Sequence, residues 1–168
     1  MYNKPSEIDF AQDKGTLTHV LIAVGCERFG PDATPSEVLS LRDYCFAGPR
    51  LSPVYGRARA QFALTSTAAY FRRFGPTGWK FLGSEVIAGD VAFDLLWTRN
   101  GMVFADEVKS GMFGIDLGER RLKAQVDAQA DVGRNAWGSS FLGVRPVVMG
   151  SKFASKHIEE KHLVRAKS

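Results

Sequence analysis

Apolar positions recur at helical spacing through residues 10–26, where Leu17, Val20, Leu21 and Val24 form one stripe, and the pattern breaks at Phe29-Gly30-Pro31. This predicts a first helix. Thr34-Pro35-Ser36-Glu37 has the form of a capping box with proline at the first helical position. The apolar stripe Val38, Leu39, Leu41 and Cys45 continues it, so a second helix is expected to end before Gly48-Pro49. A longer helix is expected from Ser52-Pro53 to Gly75-Pro76, with Phe62, Leu64, Ala69, Tyr70 and Phe71 among its apolar positions. The pattern then changes. Trp79, Phe81 and Val86 read as a strand interrupted by Gly83 and closed by Gly89-Asp90, and two further strand-like runs occupy residues 91–109. The segment SGMFGIDLG reads as a glycine-rich loop, residues 119–133 as a polar helix with Lys123, Gln125 and Gln129 as candidates to face a site, and residues 141–150 as a late strand. Pro146 places that strand at a sheet edge or marks a strand start. The charged tail reads as a final helix or a frayed end, and neither repeats nor low-complexity tracts are found.

The strongest local signal is Asn100-Gly101 between two apolar runs, because a two-residue hairpin turn requires positive φ at both positions. That turn fixes the register: Arg99 faces Met102, Trp97 faces Phe104, and Asp94 faces Glu107. Opposed carboxylates with Cβ atoms roughly 5 Å apart destabilise a sheet, unless they share a proton or bind a divalent cation. Strand alternation puts Lys109 on the same face as both acids. The other face carries Val91, Phe93, Leu95, Trp97, Met102, Phe104 and Val108, with Asp106 as its one misfit. The alternative is a solvated hairpin face with an ordinary cross-strand Lys–Glu pair.

The chain has 168 residues, 45% hydrophobic and 24% charged, which suits one globular domain with a real core and a small appendage. No run of 18 apolar residues occurs, and MYNKPSEIDF lacks a secretory pattern, so a cytoplasmic protein without membrane association is expected. Cys26 and Cys45 have neither zinc-site nor disulfide-framework spacing and are expected to be buried free thiols; His19, His157 and His162 receive no catalytic role. Residues 1–50 hold five Lys/Arg against seven Asp/Glu, and residues 51–168 seventeen against eleven. A basic region with an acidic site fits a polyanionic substrate held by flanking cations while carboxylates carry a metal. Solubility alone is the competing explanation. The first two helices admit a helix-turn-helix, but the second has few side chains to read bases, which favours a packing or partner-binding extension.

A helix, three strands bearing Phe93-Asp94 and, twelve residues on, Glu107-Val108-Lys109, then a helix and a strand: this order resembles the PD-(D/E)xK nuclease superfamily. The likeness is closest to nuclease-related (NERD-type) domains and next to archaeal-type Holliday-junction resolvases. The NERD likeness spans about residues 55 to 152, through GWKFL, GDVAFDLLWTRNGMVFADEVKSG, a Gln-bearing helix and RPVVMG. It implies an α/β, restriction-endonuclease-like core with a central mixed sheet flanked by helices in the order α-β-β-β-α-β. Residues 1–50 would be an N-terminal helical extension, 51–155 the core and 156–168 a charged tail. The implied activity is metal-dependent hydrolysis of DNA phosphodiester bonds. Asp94, Glu107 and the Val108 carbonyl would bind magnesium or manganese, Lys109 would assist the attacking water, and Gln125 would orient the phosphate or that water. Arg57, Arg59 and Lys123 would contact phosphates. DNA is the implied partner, RNA remains an alternative, and a homodimer is the state in which many enzymes of this fold cut two strands. Where these families usually place a further acid on the first helix, this chain has Gln61, with Glu85 and Asp90 as alternative acids. That substitution leaves open a second function, a catalytically weak or inactive nuclease-fold domain that binds DNA or a protein partner.

Overall fold

The computed structural model describes residues 7–46, 53–110, 115–150 and 155–167, without the side chains of residues 7–12 and 115–119. The expected break at Gly48-Pro49 and residues 111–114 of the expected glycine-rich loop lie outside the described residues, and residues 115–118 of that segment are helical instead. The chain divides into two compact units, Met1–Gly75 and Pro76–Ser168, so the division falls at Gly75/Pro76 and not near residue 50.

The first unit is helical. Helices α1 (Glu7–Phe29), α2 (Pro35–Leu39) and α3 (Pro53–Arg73) pack around Leu17, Leu21, Leu41, Cys45, Ala60 and Ala63, with short 3-10 turns at Gly30–Asp32 and Arg42–Phe46. The capping box at α2 forms as the sequence predicts: Glu37 N–H donates to Thr34 Oγ1 at 3.3 Å and Thr34 N–H to Glu37 Oε2 at 2.8 Å. The helix is shorter than expected, and a 3-10 turn carries the rest of its apolar stripe into the core through Cys45. Helix α3 belongs here because its inner face supplies Ala60 and Ala63 to this cluster and because Arg59 bonds across to α1. Cys26 and Cys45 are free and buried. Burial raises the Cys45 thiol pKa, against the lowering pull of Arg59 and Arg42.

The second unit is α/β. Strands β1 (Lys80–Ala88), β2 (Val91–Arg99), β3 (Met102–Lys109) and β4 (Phe141–Val148) form a mixed sheet in the order β1-β2-β3-β4, antiparallel except for the β3–β4 pair. Asn100 (φ 52°) and Gly101 (φ 76°) make the turn, and the ladder from Arg99↔Met102 to Leu95↔Asp106 has the register that turn dictates. Helix α4 (Ile115–Trp137) is the crossover that parallel pairing of β3 and β4 requires, and it is longer than the sequence pattern indicates. It packs Val126 and Ala130 onto Phe93, Leu96, Val103, Ala105, Phe141 and Val144. Pro146 sits in β4, an end strand of the sheet, as its missing N–H demands.

The opposite sheet face explains the misfit at Asp106. In the parallel register Asp106 faces Arg145, and the two form a buried bidentate pair: Nε to Oδ1 at 2.6 Å and a terminal nitrogen to Oδ2 at 2.8 Å. Trp97 Nε1–H also donates to Oδ2 at 3.2 Å, and the other Arg145 terminal nitrogen donates to the Ser155 carbonyl at 2.8 Å. The guanidinium lies 5.5 Å from the Phe104 ring centroid.

Residues 155–167 of the tail form no long helix. After a 3-10 turn at Glu160–His162, Val164 exchanges backbone hydrogen bonds with Val144, at 2.9 Å and 2.8 Å. Gly143 permits this approach. Its φ is +140°, and a Cβ there would stand 2.5 Å from the Val164 carbonyl oxygen. Gly143→Ala is therefore expected to lower the stability of the second unit by about 1–3 kcal/mol, through strain and detachment of the terminal segment. Chemical denaturation, with proteolysis at residues 160–167 as a second readout, checks this. No helix among the described residues is long and apolar enough to cross a membrane.

Candidate active site

Strands β2 and β3 bring two acids and a lysine to the end of the sheet farthest from the Asn100-Gly101 turn. Glu107 is 2% exposed, which for a carboxylate demands compensation. Three donors supply it. Gln125 Nε2 donates to Oε1 at 2.7 Å, Gln129 Nε2 to Oε2 at 2.7 Å, and Lys109 Nζ stands 2.6 Å from Oε1. The glutamines lie four residues apart on α4, so one helix face delivers both amides to the same carboxylate. Gln129, itself 2% exposed, also donates to the Ala92 carbonyl at 2.9 Å and so ties α4 to β2.

Asp94 differs from its expected position. The paired ladder reaches Leu95↔Asp106, and one step beyond it Asp94 is not a ladder partner of Glu107. Its Oδ2 accepts the Val108 N–H at 2.7 Å. A side-chain oxygen thus takes a backbone N–H at the point where two directly opposed acids would repel. Asp94 and Glu107 remain linked through the Glu107-Val108 peptide.

Glu85 adds a third acid within the same unit. It has φ 49°, a backbone conformation uncommon for a residue with a Cβ, and it follows the register shift between Phe81 and Gly83. Its carboxylate lies within 4.8 Å of the Asp94 carboxylate, oxygen to oxygen. Asp90 occupies the exposed β1–β2 turn after Gly89.

Three of the remaining sequence candidates belong to the first unit. Arg57, Arg59 and Gln61 lie on α3 in the first unit, with Arg57 and Gln61 exposed. The expectation of a phosphate contact at Arg59 is corrected: the side chain is 5% exposed and committed inside that unit. It pairs with Asp13 at 3.1 Å and donates to the Cys45 carbonyl at 2.6 Å. Lys123 is exposed on α4 but bound to Asp127 at 2.7 Å. That hydrogen bond holds the Asp127 carboxyl below its usual pKa.

The structure therefore brings Glu107, Lys109, Gln125 and Gln129 together, with Asp94 bonded to the Val108 N–H and Glu85 beside Asp94. The helical spacing of Gln125 and Gln129 made both legible. Glu85 was legible only as an alternative acid, because its place beside Asp94 follows a strand irregularity that no sequence pattern marks. Comparison with known protein families and with curated proteins finds no match to this chain.

Proposed function

We propose that this chain is a metal-dependent nuclease of the PD-(D/E)xK type, hydrolysing DNA phosphodiester bonds with Asp94, Glu107 and Lys109. The observation that carries the reading is the buried Glu107 carboxylate, met by Lys109 Nζ at 2.6 Å and by two α4 amides, beside an Asp94 anchored to the adjoining peptide. Within the second unit the candidate donors are oxygens: the Asp94 and Glu85 carboxylates, within 4.8 Å of each other, and, across the peptide whose N–H Asp94 accepts, the Glu107 carboxylate and the Val108 carbonyl. Such a set fits a hard cation, magnesium or manganese, better than zinc. Glu85, with its carboxylate within 4.8 Å of that of Asp94, supplies the acid that Gln61 lacks.

Asp94, Glu107 and the Val108 carbonyl would hold the cation, which when bound polarises the phosphate and acidifies a coordinated water. The chain's own groups do the rest. Lys109 is a compact cation with three donors, one directed at Glu107; the others are available to the attacking water and to charge growing on phosphate oxygens. Its side chain is 29% exposed, so it connects the buried carboxylate with solvent. Gln125 shares Glu107 Oε1 with Lys109 and orients the substrate phosphate or water when it swings free. Gln129 keeps Glu107 in place through its second bond to Ala92.

One observation favours a second reading. Three donors already satisfy Glu107, an arrangement that is self-sufficient without a cation and suits a nuclease-fold domain that binds DNA without cutting. Incubating supercoiled DNA, linear DNA and RNA with the protein in magnesium, manganese or EDTA decides between them. The nuclease reading expects metal-dependent nicking or degradation of DNA. Uncut DNA with intact binding supports the second reading, and cleavage of RNA alone changes the substrate.

A further inference from the structure

Helix α4 presents a graded stripe to the site. Gln129 is buried against Glu107 and Ala92, and Gln125, one turn earlier, is exposed but bonded to Glu107 by its amide. One further turn toward the helix start, about 6 Å along the axis, stands Arg121. It is exposed, and it forms no ion pair among the described residues. Residues four apart share a helix face, and helical side chains lean toward the N-terminus, so Gln125 reaches over the surface beside Arg121. Leu122 and Val126 turn inward to the core. Lys123, about 200° around the helix from Gln125 by the 3.6-residue period, is held by Asp127 at 2.7 Å.

We infer that Arg121 is a phosphate-binding residue of this site, engaging the nucleic-acid backbone beside the phosphate that Lys109 and Gln125 address. The inference rests on the nuclease reading of the same residues. The guanidinium is planar, permanently charged and forked, and it binds a phosphodiester through two parallel N–H donors. An arginine with no ion pair among the described residues is open to an anionic ligand, whereas the Lys123 ammonium is already engaged by Asp127 at 2.7 Å. A backbone contact positions the strand and reads no base, so the contribution of Arg121 is independent of sequence.

The test is fluorescence anisotropy of a labelled DNA duplex in EDTA across about 50–200 mM salt, for the wild type, Arg121→Gln, Arg121→Lys and Lys123→Gln. The expected result is a slope of log affinity on log salt reduced in magnitude by about 0.9 in Arg121→Gln, retained in Arg121→Lys and unchanged in Lys123→Gln. Thermal melts of the exposed-site variants should match the wild type. An unchanged slope in Arg121→Gln overturns the inference, as does an equal loss in Lys123→Gln or a wild type that fails to bind. Cleavage in magnesium is run beside it. DNA cut by the wild type with an Arg121-independent slope defeats the inference alone; an Arg121-dependent slope without cleavage supports it and defeats the hydrolytic reading alone.

Discussion

Glu107→Ala is expected to lower the single-turnover rate of metal-dependent DNA cleavage by at least about 10²-fold, while leaving the protein folded. The carboxylate is the proposed cation ligand and the anchor of Lys109, so its removal disorganises both charged partners of the reaction. The structural cost is smaller. Gln129 keeps its bond to the Ala92 carbonyl, and Gln125 and Lys109 can turn toward solvent. A loss of about 1–3 kcal/mol follows from the vacated volume and the displaced donors, against a typical total of about 5–15 kcal/mol. Glu107→Gln keeps the volume and is expected to lose the activity equally, because it sets an amide donor against two amide donors and an ammonium. Cleavage rates read beside thermal melts separate the two effects. A fully folded Glu107→Ala that cuts at the wild-type rate would remove Glu107 from the chemistry.

The largest stability effect is expected at Arg145. Arg145→Ala leaves the Asp106 carboxylate, whose side chain is 0% exposed, buried without the cation that pairs with it. Truncating one member of a buried pair costs about 3–5 kcal/mol, enough to unfold much of a marginal α/β unit at room temperature. Replacing both partners with apolar residues, Asp106→Leu with Arg145→Met, should recover most of the loss. The remaining cost is the loss of these partners by the Trp97 N–H and the Ser155 carbonyl, about 1–3 kcal/mol. Urea midpoints for the single and double variants form the test. A single variant as stable as the wild type would mean that water reaches Asp106 and screens it.

How much of this was legible in the chain depends on range. The Asn100-Gly101 turn carried its own register, the Thr34/Glu37 box its own cap, and Pro146 its place on an end strand, because each is set by residues adjacent in sequence. Asp106 stood out as a misfit, but its partner depends on the parallel register of β4, 39 residues away, which no local pattern encodes. The placement of α3 was missed for a similar reason. Arg59 reads as a solvated helix charge until Asp13, 46 residues earlier, is seen to bind it. Asp94 was placed on the right strand, but the paired ladder ends at Leu95↔Asp106, one step short of Asp94 and Glu107, and the Asp94 carboxylate takes the Val108 N–H there. On α4, spacing pointed to Gln125 and Gln129 correctly in type, while Lys123 was distinguishable from Arg121 only once the Asp127 bond was known.

The central claim is that the Asp94, Glu107 and Lys109 cluster performs hydrolysis and is more than a structural ion pair. Single-turnover nicking of supercoiled plasmid, by wild type and Lys109→Ala purified in parallel and assayed in magnesium and in EDTA, tests it most directly. The expected result is nicking in magnesium by the wild type, none in EDTA, and a rate reduced by at least about 10²-fold in Lys109→Ala with an unchanged melting temperature. Equal nicking by both proteins, or nicking that persists in EDTA, would contradict it.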